Sequence, residues 1–346
     1  MKNIARILIL ILVLSACNKD FNLTTDWEEQ MVVYGLIDVR SPVQYLKITK
    51  AFLGDGEIVK YAQNPDSNQY NTLLDVKIYE LDADNNIVYT FLFDTIHIHN
   101  KDSGLFYSPT QIAYKSRPYN YHKVKYYELW GDTIASDTMW LNPDHKYQLD
   151  ITNPVSGLHI TSESDLVDFT IFEQPSIYSS AIQFNNASNT NAYIFKWLSQ
   201  KNNEEIAQFK LFYSYGEKKY GSEDTIYKKI QIVNDIVVGK QEYKVLSEVF
   251  FNNCDHLIRY EDQEIENSIE KRFSGNCELE LYLGNSTFYK YLMVNKPSSG
   301  LIQEKPIYTN IEGGIGIFGS RSKVVLNKAL HNNSVLILKD DYNLKF

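Results

Sequence analysis

The residue with the most clearly defined chemistry is Cys17, which ends the sequence Leu-Ser-Ala-Cys at positions 14–17. A basic flank and an apolar run over residues 7–14 precede it. Because eight residues cover only about 12 Å as a helix, this run is too short to cross a bilayer. Small residues before a cysteine suit a signal peptidase that cleaves in front of a lipid-modified thiol. We therefore predict a signal peptide over 1–16 and an acylated Cys17 at the start of the mature chain.

Acyl chains on Cys17 would anchor the protein. Each buried methylene contributes roughly 0.8 kcal/mol, so one chain binds marginally, whereas palmitate and companion chains together hold firmly. Residues 17–27 then form a lipidated tether. The positions after Cys17 read Asn18-Lys19-Asp20, and a lysine followed by an acidic residue resembles the surface-export signal of Bacteroidota lipoproteins. This resemblance implies an outer-membrane protein that faces the cell surface.

Two further groups of side chains are candidates for metal or acid–base chemistry. His97 and His99 lie two apart on a predicted strand, so they share a face and could bind a metal with a third ligand. Glu163, Asp165 and Asp168 could hold calcium or act as paired acids. No further histidine or carboxylate lies at a spacing typical of a metal or acid–base site. We therefore favour solvated side chains in both cases. We predict no catalytic residue, no metal and no cofactor, and keep a hydrolase without a known motif as an alternative.

Cys254 and Cys277 remain after lipidation of Cys17. In an oxidising envelope two such cysteines most often pair, and this disulfide would close a loop of 24 residues. The chain-entropy model gives such a bridge roughly 3 kcal/mol. The segment between them, from Arg259 to Arg272, is dense in charge and predicts a solvated loop or a short helix.

The composition limits the partners. The chain has 43 acidic and 34 basic residues, and removal of Lys2 and Arg6 with the signal peptide changes its formal charge from −9 to −11. Such an acidic chain without a basic run argues against nucleic acid and against an anionic membrane surface. The 26 tyrosines are typical of β-sheets, and also of wet binding surfaces that stack on sugars.

Short runs of alternating apolar and polar residues, separated by turn residues, predict an all-β fold. Leu141, Pro143 and Tyr147 have the spacing of the tyrosine corner of fibronectin-like and immunoglobulin-like sandwiches. We predict two β-sandwich domains: an immunoglobulin/fibronectin-like one over 28–170 and a β-rich one over 171–346, with a boundary near Pro175.

Local signals refine this architecture. Residues 82–86, rich in Asp and Asn, predict a hairpin turn. Capping residues followed by aromatic residues at helical spacing predict one short amphipathic helix over 286–295. We interpret its aromatic stripe as the face packed on the sheet, with a binding groove as the alternative. The stretches 54–72 and 95–122 are predicted to be exposed inserted loops.

The most distinctive string of the mature chain covers residues 308–319. Gly314, Gly316 and Gly319 satisfy the dinucleotide-binding pattern G-x-G-x-x-G. That site also needs a helix opening at the third glycine within a βαβ unit, whereas this context is antiparallel. The alternation of Ile315 and Ile317 favours a strand whose glycines allow a bulge or a close approach of backbones.

The lipobox, an early strand at 31–39, the aromatic helix at 286–294 and the glycine string together resemble the Bacteroidota lipoproteins of domain-of-unknown-function family 4249. The resemblance is most specific in residues 286–319. It implies an outer-membrane lipoprotein that accompanies a TonB-dependent barrel in nutrient uptake. It implies no catalytic residues.

Three functions remain open. The first is a surface binding protein whose loops contact an unknown ligand through four candidate tyrosines: Tyr107, Tyr114, Tyr119 and Tyr121. The second is a structural or adhesive module. The third is the hydrolase without a known motif.

Overall fold

The computed structural model describes residues 29–51, 58–99, 104, 110–119, 123–129, 132–176, 178–185, 191–199, 205–295 and 307–346. The predicted signal peptide, Cys17 and the tether over 17–27 lie outside the described residues. The described chain is mostly strand, so the all-β prediction is confirmed.

The strands are β1 Met31–Ile37, β2 Tyr45–Lys50, β3 Asp75–Leu81, β4 Ile87–Ile98, β5 Gln111–Ser116, β6 Lys123–Leu129, β7 Asp132–Met139, β8 Lys146–Thr152, β9 His159–Asp165, β10 Thr170–Gln174, β11 Ala181–Ile182, β12 Ala192–Ser199, β13 Ile206–Lys219, β14 Thr225–Val238, β15 Glu242–Leu246, β16 Ile269–Gly284 and β17 Ile315–Leu330. The helices are α1 Ile58–Gln63, α2 Pro65–Asn68, α3 Ser247–Ile258, α4 Gln263–Ser268, α5 Ser286–Asn295 and α6 Asn332–Asp340.

Twelve of the described strands form one sheet. Eleven follow the order β14-β13-β16-β17-β1-β2-β5-β4-β3-β8-β9, and β11 pairs with β17. A second sheet has the order β10-β12-β15, and β6 pairs with β7. Most neighbouring pairs are antiparallel, whereas β1 and β11 each run parallel to β17. The large sheet therefore joins the first and the last strands of the described chain.

The parallel pairing of β1 with β17 depends on a glycine. Gly316 lies opposite Val33 and has a φ of 114°. A Cβ atom at this position would lie 2.0 Å from the Val33 carbonyl oxygen, far inside van der Waals contact. The close backbone approach predicted from the glycine string is confirmed, because a side chain here would force the two strands apart.

Two hydrophobic cores lie along this sheet. The first is formed largely by β1–β9 and the second largely by the strands and helices after residue 181. Ile311 and Phe318, from the C-terminal part of the chain, belong to the first core. The predicted division of the chain at 170/171 stays a prediction, and these two residues show that the first core extends beyond it.

Two local predictions in the first core are confirmed. The Tyr147 hydroxyl accepts a hydrogen bond from the Asn142 backbone N–H at 2.9 Å and lies 3.2 Å from the Asn142 carbonyl oxygen, which is the geometry of a tyrosine corner. The hairpin turn between β3 and β4 is also present, with Asn85 in the left-handed region at φ 62°. The Asp82 carboxylate accepts bonds from the backbone N–H groups of Asp84 and Asn86.

Other local predictions were wrong. The pattern of residues 242–250 predicts one strand, but β15 ends at Leu246. Helix α3 begins at Ser247 because Phe250, Phe251 and Cys254, at helical spacing, bury one helix face. Part of the predicted loop 54–72 forms α1 and α2, where Asn64 caps α2. The predicted loop 95–122 contains β5, which pairs with β4.

A buried ion cluster lies beneath α4, in a segment we predicted to be solvated. The Arg272 side chain is fully buried and pairs with Glu217 at 3.0 Å and with Glu266 at 2.7 Å. It also donates to the Leu344 carbonyl oxygen at 2.9 Å, which fastens the C-terminal residues. Lys228 pairs with Glu217 from the other side at 2.6 Å.

The cluster lowers the pKa of both carboxyl groups. Burial by itself raises the pKa of Glu217, but hydrogen bonds from Lys228, Arg272 and Tyr260 outweigh burial and hold it below its ordinary value of 4.5. The pKa of Glu266 is lowered in the same way, mainly by Arg272. Both carboxylates are therefore charged in the folded protein at neutral pH.

Replacement of Gly316 by alanine is expected to lower the free energy of unfolding by roughly 2–4 kcal/mol, because the new methyl group meets the Val33 carbonyl and the positive φ disfavours a side chain. Urea unfolding measures the change. Gly104→Ala is the matched control, since no atom lies within 4 Å of its Cβ position. Equal midpoints for the two variants would contradict the proposed close approach.

Arg272→Met is expected to lower the free energy of unfolding at pH 7 by about 3–5 kcal/mol, because it leaves two buried carboxylates without their guanidinium partner. In the wild type, the unfolded chain binds more protons than the folded one, so stability falls as the pH drops from about 5 through the lowered pKa values.

Without Arg272 the pKa of Glu266 rises on burial, so the loss of stability between pH 5 and pH 3 should shrink. Urea unfolding across this range tests both effects. The control Arg117→Met removes an exposed ion pair with Asp94 and should change stability by less than about 1 kcal/mol. An equally steep pH profile in Arg272→Met would refute the role assigned to the cluster.

Candidate functional site

A cavity with a mixed apolar and polar lining lies beside α5, over β1 and β2. Its volume is about 570 Å³, within the range of small-ligand sites. Aromatic side chains line it from both sides: Tyr34, Tyr45, Phe288 and Tyr291. Three charged residues also line it, namely Asp38, Lys47 and Arg321. We call this cavity the aromatic pocket.

The alternation of β1 places Tyr34 on the pocket side. Val33 is buried on the opposite face, whereas Tyr34 is 46% exposed. Tyr34 pairs directly with Ile317 of β17 and with Lys47 of β2. Directly paired residues point to the same face of a sheet, so these three side chains form one row across the pocket floor.

Helix α5 forms one wall, and the predicted helix over 286–295 is confirmed. The buried Asn285 precedes the helix and accepts a hydrogen bond from the Phe288 backbone N–H at 3.1 Å. Its side-chain amide donates to Ser164 Oγ and to the Asp165 carbonyl, which fixes the start of α5 to the end of β9.

The aromatic stripe of α5 both packs on the sheet and faces the pocket. Phe288 lies against Gly284, where an added Cβ would approach a ring carbon to 2.4 Å. Tyr291 meets Tyr34 edge to face, with 6.4 Å between the ring centroids. No residue of α5 is fully buried. The stripe therefore keeps accessible ring surface, which the interpretation as a packing face alone did not foresee.

Tyr291 stays neutral at physiological pH. Burial raises its pKa to about 12, and the neighbouring Tyr34 adds to the increase. A neutral phenol donates a hydrogen bond and does not repel an anionic ligand.

The charged side chains of the pocket differ in whether they already form hydrogen bonds within the protein. The Lys47 ammonium donates to the Ile112 carbonyl oxygen at 2.6 Å. The Asp38 carboxylate accepts from the Arg40 backbone N–H at 2.9 Å. The Arg321 side chain is exposed and, within the part of the chain that the structure describes, forms neither an ion pair nor a hydrogen bond. Its guanidinium is thus available to a ligand.

The buried side chain of Gln44 fixes the loop between β1 and β2 at the edge of the pocket. Its carbonyl oxygen accepts from the Asp38 N–H at 2.9 Å, and its amide donates to the Ser41 carbonyl at 2.7 Å. The geometry of this edge is therefore set before any ligand binds.

A second, smaller cavity of about 290 Å³ contains two carboxylates, Glu163 and Glu312. Thr161 Oγ1 donates to Glu312 at 3.3 Å. The acidic trio considered from the sequence is not assembled here. Asp165 is exposed outside this cavity, whereas Asp168 is buried and accepts from the Phe169 N–H at 2.6 Å.

His97 lies on β4 and His99 directly follows its last residue, and both side chains are exposed. Their ring centroids lie 6.4 Å apart, and His99 Nδ1 lies 3.3 Å from Thr110 Oγ1. Among the described residues, no three His, Cys, Asp or Glu side chains come together in a way that could hold a metal ion.

The predicted exposure of the candidate ligand tyrosines is corrected for two of the four. Tyr114 is 2% exposed in the first core, because its strand β5 lies inside the large sheet. Tyr119 is 9% exposed and bonds Glu80 at 3.3 Å. Tyr107 and Tyr121 lie outside the described residues. Strand alternation was the signal that could have pointed to Tyr34 and Tyr45 instead.

The predicted disulfide is not formed in the structure. Cys254 on α3 and Cys277 on β16 are both free thiols in the second core. Burial raises the pKa of Cys277 to about 12 and raises the pKa of Cys254 as well. Both groups are therefore protonated and unreactive in the folded protein.

No family model matches the chain, and no curated protein matches it. The resemblance to family 4249 stays a prediction. Across the described ranges, no helix combines the length and the apolar content that a membrane crossing requires.

A thiol assay distinguishes the buried thiols from the predicted disulfide. In native protein prepared in air, neither Cys254 nor Cys277 should react with an aromatic disulfide reagent within minutes, because both are buried and protonated. After unfolding without reductant, two thiols per lipidated chain should react, and Cys277→Ser should halve this count. If thiols appear only after reduction, the cysteines are bonded in solution.

Proposed function

We propose that this protein is a surface-exposed binding lipoprotein of the outer membrane, anchored through acyl chains on Cys17, which captures a ligand for a TonB-dependent barrel. The aromatic pocket is the observation that supports it. The pocket has the volume of a small-ligand site and accessible tyrosine rings, with one guanidinium that has no partner among the described residues.

The construction of the pocket suits capture by a preformed site. Its floor is a row of side chains on paired strands, and its helical wall is capped by a buried asparagine. Side chains held on such elements lose little freedom when a ligand binds. Exposed rings on a rigid floor are the arrangement through which tyrosine gives contact area at low entropic cost.

The proposed anchor and partner follow from the sequence of the first twenty residues and from the resemblance to family 4249. An adhesive module would also have a rigid β-scaffold. A cavity lined by four aromatic side chains favours capture of a ligand over adhesion through a flat surface.

The lipidated, tagged protein should co-purify with a stoichiometric barrel from native outer membranes in mild detergent. The Cys17→Ala variant should neither incorporate an acyl label nor co-purify with the barrel. Tyr45→Ala should slow uptake of that barrel's cargo by roughly tenfold, because loss of a stacking ring costs about 1.4 kcal/mol. The control Tyr227→Ala removes an exposed ring outside the pocket and should leave uptake unchanged.

Absence of a barrel at both low and high salt would count against the uptake function. Equal uptake by wild type and Tyr45→Ala would show that uptake does not depend on the pocket. Either result would favour the adhesive alternative, which predicts cross-links to another protein without saturable ligand binding.

A further inference from the structure

The charges of the aromatic pocket restrict the kind of ligand that it can bind. Two cations, Lys47 and Arg321, face one carboxylate, Asp38. Asp38 is bonded within its own loop and Lys47 to the backbone of β5. Arg321 is left as a planar fork of donors without a partner in the described chain. Such a guanidinium matches a carboxylate through two parallel hydrogen bonds.

The protein as a whole is strongly acidic, with a net charge of −9 over the full sequence. A cation without a partner makes a pocket of such a chain selective for anions, because the negative potential of the chain repels anions from most of the surface. An anion would bind where the guanidinium offsets this repulsion. The opposite assignment, a cationic ligand, would place two like charges together in the pocket.

The aromatic walls define the rest of the ligand. Tyr34 and Tyr45 are 46% and 52% exposed, so much of their ring surface is open to a ligand. An amphipathic ring with apolar C–H faces and polar edges can stack on such rings, and tyrosine hydroxyls offer hydrogen bonds at the same time. A sugar ring has both properties.

An extended peptide fits this pocket less well. The pocket floor consists of β1, which pairs with β17 and with β2, and of β2, which pairs with β5 at Tyr45 and Leu46. A peptide that binds as an added strand needs a free sheet edge for its main-chain hydrogen bonds. Where Tyr34 and Tyr45 line the pocket, the described floor therefore offers side chains but no such edge.

We propose that the aromatic pocket binds a carboxylated sugar, with the carboxylate on the Arg321 guanidinium and the sugar ring against Tyr34 and Tyr45. This inference rests on the proposed function and specifies its ligand class. Arg321 sets the preference for the acid, and the two tyrosines supply affinity that is independent of charge.

The test uses the full lipidated chain in mild detergent and isothermal titration calorimetry. The probes are trigalacturonate, trimannuronate and triguluronate, each paired with its methyl ester. At least one acid should bind about tenfold or more tightly than its ester, the difference expected for one charge-assisted pair. Arg321→Gln should abolish this preference and leave binding of the ester unchanged, whereas Arg321→Lys should retain part of it.

Tyr45→Ala should weaken the binding of the acid and the binding of its ester by a similar factor, because stacking does not depend on charge. Arg117→Gln is the matched control, since this arginine is exposed and lies outside the pocket. Circular dichroism should show that all variants are folded. This is expected because Arg321 is an exposed residue of β17.

Three outcomes would overturn the proposal: none of the uronates binds, acid and ester bind equally, or Arg321→Gln keeps the preference. Binding of benzoate with the same Arg321 dependence, without uronate binding, would assign the site to aryl carboxylates. If the uronates fail while a barrel co-purifies and Tyr45→Ala slows uptake, the proposed function stands without this ligand. If the uronates bind as expected without a barrel, the ligand class stands and the uptake function fails.

Discussion

The parallel pairing of β1 with β17 is the contact on which the rest of the structure depends. It joins strands that lie almost 300 positions apart in the sequence into one sheet. The pairing requires Gly316, because any side chain at this residue would occupy the place of the Val33 carbonyl oxygen. The same pairing brings Phe318 into the first core and sets Ile317 beside Tyr34. The first core, the large sheet and the pocket floor therefore all depend on this one backbone contact.

The second core is completed by charge as well as by apolar packing. Arg272 contacts Glu217 on β13 and Glu266 on α4, and it also holds the C-terminal residues through the Leu344 carbonyl. A guanidinium that is buried together with two carboxylates is stable only when its donors are well paired. The cluster fixes how these elements meet, since a displaced partner would leave a charge buried without compensation.

Local features were predictable from the sequence because they depend on residues close together in the chain. The tyrosine corner at Tyr147, the turn after Asp82 and the helix after Asn285 all follow from such spacing. Alternation also predicted most strands. Helix α3 was missed because its apolar residues also fit a buried strand, a known ambiguity of short apolar runs. The burial of Tyr114 was missed because it depends on the position of β5 inside the sheet, which periodicity does not reveal.

The pocket could not be predicted from the sequence for the same reason. Tyr45, Tyr291 and Arg321 become neighbours only when β17 pairs with β1 and α5 docks beside them. Because β1 forms part of the pocket floor, its distance from Cys17 matters for the proposed function. Thirteen residues separate Cys17 from Met31 at the start of β1, and a chain of this length spans at most about 45 Å. Under the proposed function, acylation of Cys17 would keep the strand that forms the pocket floor within that distance of the membrane surface, where a barrel would receive its cargo.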